Sequence, residues 1–289
     1  MELTVAGVVL LAASVHPFRE LILKGTVFPE AAYLGVIIMW AALAVIHGLV
    51  LGVDFSSGME VLPLILISTA GLMVYYIGIL TTMKTGDLSV YYPIIRAAPV
   101  FIVVFGWLVL GQSYGPTMLA GVVLVVISAF FLQYRRGSRL LQHPATFATA
   151  ALAMAGMGTQ SLADSEAMKT IEPTVLLVWQ YFLLIPACVI FFVIRKPAAR
   201  PVLTHLFGGW KLTPLRYLIA GATSYLSYYL ILVSYQWGGN VAAVNGLRQA
   251  SIPLSVILSG FFLKEANTMG RLAWAVVLAA GIVVIILAR

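Results

Sequence analysis

Charge is what this chain has least of. Only 9% of its 289 residues are Asp, Glu, Lys or Arg, where a soluble domain carries about 25%, and that scarcity excludes an ordinary water-soluble fold. Cysteine occurs once, as Cys188 inside an apolar run, so no intrachain disulfide can form. The four histidines, His16, His47, His143 and His205, are scattered and offer no metal-ligand spacing. HExxH, CxxC, the Gly-rich phosphate loop and GxSxG are all missing, so no catalytic residue, metal, cofactor or enzymatic activity is expected. A basic segment ahead of the first apolar run is missing too. The start is Met1-Glu2 and the run continues from His16 to Lys24, so a cleaved signal peptide is not expected.

What is abundant is apolar: 62% of residues are hydrophobic and the mean hydropathy is +1.03, the composition of a protein whose solvent is a lipid bilayer. Ten runs of spanning length can be marked, at about 3–24, 31–51, 61–82, 87–111, 115–134, 145–168, 173–194, 214–237, 240–263 and 268–288. Lipid offers no partner to a free backbone amide, so these runs read as helices. Their connectors are mostly short and rich in Gly, Pro, Asn and Ser. Only 195–213 is long, and none could hold a soluble domain.

The net charge of +7 could suggest nucleic acid, but its distribution argues otherwise. Of the 17 Lys and Arg, Arg19, Arg96 and Arg248 fall inside runs. All the others except Lys169 and Arg289 lie in connectors after odd-numbered runs or at the run ends that border those connectors. That asymmetry is a topology signal. It predicts a multi-pass protein of the cytoplasmic (inner) membrane with the odd connectors inside and both termini outside.

The stretch from Gly86 to Gln112 carries Arg96 between Pro93 and Pro99. Arg96 falls about 15 Å from the start of this run, near the middle of a hydrocarbon core about 30 Å thick. A charge there costs at least about 2.5–3.5 kcal/mol unless it finds a partner or a wet cavity. A second stretch, Asn240 to Lys264, repeats the design with Arg248 and Pro253. Shifting residues 75–110 by 154 places lays Tyr75 on Tyr229, Gly86 on Asn240 and Pro99 on Pro253, while Lys24 and Pro29 fall near Lys169 and Pro173. The expected fold is therefore an all-α integral membrane protein of ten transmembrane helices. They form two five-helix repeats, 1–142 and 143–289, within one membrane domain. Five is odd, so the copies are inverted, an architecture of secondary transporters.

Three segments are similar to a known family. GDLSVYYPIIRAAP (86–99) resembles a stretch of a branch of the EamA-type transporters, within the drug/metabolite transporter superfamily. NGLRQASIPLSVILSGFFLKE (245–265) resembles the same proteins' second-half LR-x-x-S and G-x-x-x-K-E segment. HPFRELILK (16–24) is similar to their first-helix H-x-x-W-N-x-x-x-K pattern, except that Arg19 stands for the tryptophan and Glu20 for the asparagine. The resemblance implies a ten-helix carrier. It does not choose a substrate, because that superfamily moves amino acids, nucleotide precursors, cations and drugs.

Candidate residues follow from helical spacing. In the first run His16, Arg19 and Glu20 share a face and either line a path or, with Lys24, meet the headgroups. Tyr92 and Arg96 share a face in the fourth; Arg96 either grips a carboxylate or phosphate or pairs with Asp164 or Glu166. Asn245, Arg248 and Gln249 form a polar patch in the ninth, and Ser251, Ser255 and Ser259 recur for close packing or ligand contact. Gln160, Asp164 and Glu166 lie in the sixth. Asp164, Glu166 and Glu20 are the proton-coupling candidates, each equally able to be a plain ion-pair partner. Tyr75, Tyr76, Tyr225, Tyr228 and Tyr229 add aromatic faces, Asp87 reads as a helix cap, and His47 has no obvious partner. The central cavity is expected between runs 1, 3, 4, 6, 8 and 9.

These residues predict a secondary transporter of a small polar metabolite. A zwitterion or organic anion such as an amino acid, carboxylate or phosphonate suits the balanced interior charges, with or without protons. An amphipathic cation or drug is the alternative substrate. A membrane enzyme acting on lipid and a structural or sensor subunit are the rival classes. Expected partners are the substrate, the bilayer and protons, with no nucleic acid, in a monomer or homodimer.

Overall fold

The computed structural model describes residues 2–23, 26–85, 88–133, 144–210, 213–254 and 268–288, with the side chains of 20–21, 83–85, 88–90, 133 and 268–272 left aside. Every regular element among its described residues is a helix. The chain order is α1 (Leu3–Leu23), α2 (Pro29–Leu51), a 3₁₀ turn (Phe55–Val61), α3 (Leu62–Thr85), α4 (Leu88–Ile95), α5 (Ala98–Leu108), α6 (Pro116–Gln133) and α7 (Pro144–Ala167). It continues with α8 (Pro173–Ile194), α9 (Val202–Phe207), α10 (Pro214–Gln236), α11 (Val241–Leu247), a 3₁₀ turn (Arg248–Ala250) and α12 (Thr268–Leu287).

Punctuation in the sequence explains most of these limits. Proline occupies the first turn of α2, α8 and α10, where its missing N–H costs nothing and its fixed φ suits the helix. Gly52 ends α2 in the left-handed region at φ 68°, which a side chain would resist. Asp54 starts the following turn by accepting from the Ser56 amide at 2.9 Å. The Ser56 hydroxyl also donates to Asp54 Oδ2 at 2.8 Å, and that hydroxyl first, then the amide, holds its carboxyl below the usual carboxylate range.

Five stretches are long and apolar enough to cross a membrane: Pro29–Leu51, 55–82, 91–108, Pro173–Ile194 and Pro214–Gln236. Shorter apolar helices cover 3–19, 116–132 and 273–287. Leu49, Val50, Val104, Trp107, Leu108, Ile190 and Ile194 stand exposed on the outer surface. Such a broad apolar coat is what a bilayer covers and water does not. Two differences from the expected runs stand out. The run 87–111 is two helices, not one, and the long connector 195–213 holds the short helix α9.

The most extensive pairings are α3 with α7, α1 with α10, α6 with α12 and α2 with α8. Small residues make the first of these possible. A Cβ built on Gly156 would sit 2.6 Å from the Gly71 carbonyl oxygen, and one on Gly71 would sit 2.7 Å from that of Gly156. Both obstacles are backbone, so a side chain forces the helices apart. Gly156→Val is expected to cost about 1–3 kcal/mol or more and to lower the melting temperature in detergent. An unchanged melt would contradict so close a contact.

Candidate functional site

The site begins where two helices break. Pro99 has no N–H to give the Ile95 carbonyl, and its ring crowds that oxygen, so the run stops at Ile95 and restarts at Ala98. The Val100 amide turns to the Ala97 carbonyl at 2.9 Å. This frees the Arg96 carbonyl, which accepts from Gln249 Nε2 at 3.0 Å. In the second half Asn240 caps α11, accepting from the Ala242 and Ala243 amides at 3.0 and 3.2 Å. The helix then tightens into a 3₁₀ turn at Arg248, five residues before Pro253.

These two turns meet. Arg96 Nη2 donates to Ser251 Oγ at 2.6 Å, and that hydroxyl donates to the Arg248 carbonyl at 2.9 Å. One serine thus joins the guanidinium of the first break to the backbone of the second. Arg96 is only 8% exposed, and its Nε has no hydrogen-bond partner among the described residues. Its guanidinium carbon lies 5.9 Å from the centre of the Tyr92 ring. Arg248 sits 5.6 Å over Tyr228 and donates to Asn245 Oδ1 at 3.2 Å. Asn245 is itself held by Tyr235 OH at 2.8 Å and the Val241 carbonyl at 2.9 Å.

Arg96 and Arg248 border a cavity of about 50 Å³, room for a few water molecules. His16 and Arg19 line it from α1, Tyr75 and Tyr76 from α3, Gln160 from α7 and Tyr228 from α10. Two of its walls lack any signal in the sequence: Trp40 of α2 and Tyr181 of α8. Their rings pack with centroids 4.9 Å apart, and Trp40 Nε1 donates to Ser224 Oγ at 2.7 Å. The expectation confined the cavity to other helices, but α2 and α8 pair closely enough to present these aromatics inward.

Asp164 lies just behind this cavity, fully buried, and is not among its lining residues. It accepts from the hydroxyls of Ser68 and Tyr228. Two amides fix those hydroxyls: Gln180 Nε2 donates to Ser68 Oγ at 2.6 Å and Gln160 Nε2 to Tyr228 OH at 2.8 Å. Each hydroxyl, already accepting, has its single proton to give to Asp164. Tyr228 therefore connects the carboxyl, through its oxygen, to Arg248, over its ring.

The remaining candidates fall in different places. Glu166 does not reach the cavity. It is exposed and pairs with Lys169 at 2.6 Å, because two residues along a helix turn it about 200° from Asp164. Tyr92, Asn245 and Gln249 brace the arginines and do not line the void. Ser251 is a hydrogen-bonding bridge between the two breaks, whatever packing it also provides. His47 has the partner it seemed to lack: Nδ1 lies 3.0 Å from Tyr225 OH, and its ring packs 4.7 Å from that of Tyr229. The Glu20 side chain, Asp87, Ser255 and Ser259 lie outside the described residues and side chains. No group of three or more His, Cys, Asp or Glu that could hold a metal ion occurs among the described residues.

No family model matches this chain, and no curated protein sequence matches it. Its fold is similar to that of a protein of known crystal structure, with a TM-score of 0.77 and 16% identity, covering 99% of this chain and 98% of the other. At that identity the likeness extends to the fold alone.

Proposed function

We propose that this chain is a secondary transporter of EamA type, carrying a small organic anion or zwitterion by alternating access through the plane of a cell membrane. The observation that carries the reading is the crossing of two broken helices, each presenting an arginine, beside one interior cavity. Broken helices at mid-membrane, with freed backbone groups around a polar void, are how carriers form a site without exposing amides to lipid. A buried guanidinium with an unused N–H is costly to keep, and an anionic ligand would complete its hydrogen bonding.

Ten crossings in two inverted halves follow if α4 with α5, and α11 with the turn after it, each count as one. What supports the inversion is the pairing pattern. Exchanging the first five crossings for the second five turns the α3–α7 contact into the α10–α1 contact, and leaves α2–α8 and α6–α12 unchanged. Rocking one half against the other would open the cavity to each side in turn.

The test is uptake into liposomes reconstituted with the purified protein, across a panel of amino acids, carboxylates, phosphonates and organic cations. Saturable uptake of an anion or zwitterion, matched by a rise in melting temperature with the same compound, is expected. Uptake of organic cations alone would remove the arginine site as the carrier's binding site. No uptake and no melting shift anywhere in the panel would overturn the transporter reading.

A further inference from the structure

We infer that the cavity selects a doubly charged tetrahedral oxyanion, the head group shared by phosphate monoesters and phosphonates, over zwitterions and monocarboxylates. The inference rests on the transporter reading of the same cavity and narrows its substrate. Its first ground is charge. Arg96 and Arg248 both border the void, and Arg96 is nine-tenths buried with Nε unpartnered among the described residues. Arg19 borders the void as well, so three guanidiniums among the described residues face it, and a dianion offsets more of that positive charge than a monoanion. Guanidiniums also match a phosphoryl group geometrically, each offering two parallel N–H groups to two oxygens.

The second ground is space. The void is about 50 Å³, and a compact head group with both charges on one centre suits it better than a dicarboxylate. A short organic substituent could lie against Trp40, Tyr75, Tyr76 and Tyr181. The third ground is where the acids are. A zwitterion's ammonium is answered best by a carboxylate, and none lines the cavity among the described residues, which leaves it ring faces and neutral groups. Asp164 has both oxygens occupied by hydroxyl donors, and Glu166 is engaged by Lys169 at the surface.

Proteoliposome uptake is measured for ethylphosphonate, ethyl phosphate, ethanesulfonate, propionate and alanine. Ethanesulfonate has the shape of ethylphosphonate with a single charge. One or both phosphorus compounds should show a KM at least ten-fold below that of ethanesulfonate, propionate and alanine. Between pH 5 and 7.5 the KM for ethyl phosphate should fall as the ester loses its second proton, near a pKa of about 6.

The titratable and charged groups facing the ligand are His16 and Arg19 of α1, Arg96, Arg248, and the tyrosines of α3, α8 and α10. Protonation of His16 in acid would strengthen anion binding, the opposite direction. Ethanesulfonate, whose charge does not change, reads that contribution by itself. Equal KM values for sulfonate and phosphonate, or uptake confined to alanine or propionate, would overturn the inference while leaving a carrier. Failure of every compound would overturn the carrier as well. If only ethyl phosphate or only ethylphosphonate is taken up, the result supports the inference and names the source.

Discussion

Arg96→Ala should abolish ligand-dependent thermal stabilisation and slow uptake by about 10- to 100-fold for each charge-assisted hydrogen bond lost, since such a bond contributes about 1.5–3 kcal/mol. Folding should survive the change. Burying a guanidinium in lipid is itself unfavourable, and the partner it leaves, the Ser251 hydroxyl, still donates to the Arg248 carbonyl. Gln249 binds the Arg96 backbone carbonyl, which an alanine keeps. Arg96→Lys is the informative companion: it restores the charge without the planar fork, so a site that uses paired N–H groups should recover only in part. Wild-type uptake by Arg96→Ala, measured on protein with wild-type helical content and melting, would remove Arg96 from the binding site.

Asp164→Ala should destabilise the protein more than any single change in the cavity wall. It leaves the Ser68 and Tyr228 hydroxyls, both held in donor orientation by Gln180 and Gln160, aimed at a space with no acceptor. At about 1–3 kcal/mol for each buried group left unsatisfied, the loss is about 2–6 kcal/mol, a fall of roughly 5–20 °C in melting temperature. Asp164→Asn keeps one oxygen acceptor and turns an amide donor toward the other hydroxyl, so an intermediate fall is expected. Because Tyr228 also carries Arg248 on its ring, uptake should weaken along with stability. A melt of Asp164→Ala within a degree or two of wild type would show that the hydroxyls point elsewhere.

Much of this was readable along the chain, and the failures have physical causes. Pro99 and Pro253 were visible as interruptions, but a proline kinks one helix and ends another according to what can take up the freed carbonyl. Here the taker of the Arg96 carbonyl is Gln249, 153 positions away. The outward position of Glu166 could have been read from its two-residue offset from Asp164. The partner of His47 could not, because Tyr225 is distant in sequence and uniformly apolar helices give no amphipathic stripe to say which faces meet. Trp40, Tyr181, Ser68 and Gln180 share that difficulty, each lying in a run whose composition reads as plain lipid-facing helix.

By itself the sequence determined that the chain is helical, apolar on its outside, and burdened with arginines in the middle of two apolar runs. Apolar runs of about 20 residues satisfy their own backbone hydrogen bonds in lipid only as helices. Only the tertiary structure decided that those arginines belong to one cavity and that Asp164 stands behind it and outside it. Where a side chain points in a bundle depends on which helices pack, and that is set by small-residue contacts such as Gly71 on Gly156, whose effect lies in the partner and not in the local sequence.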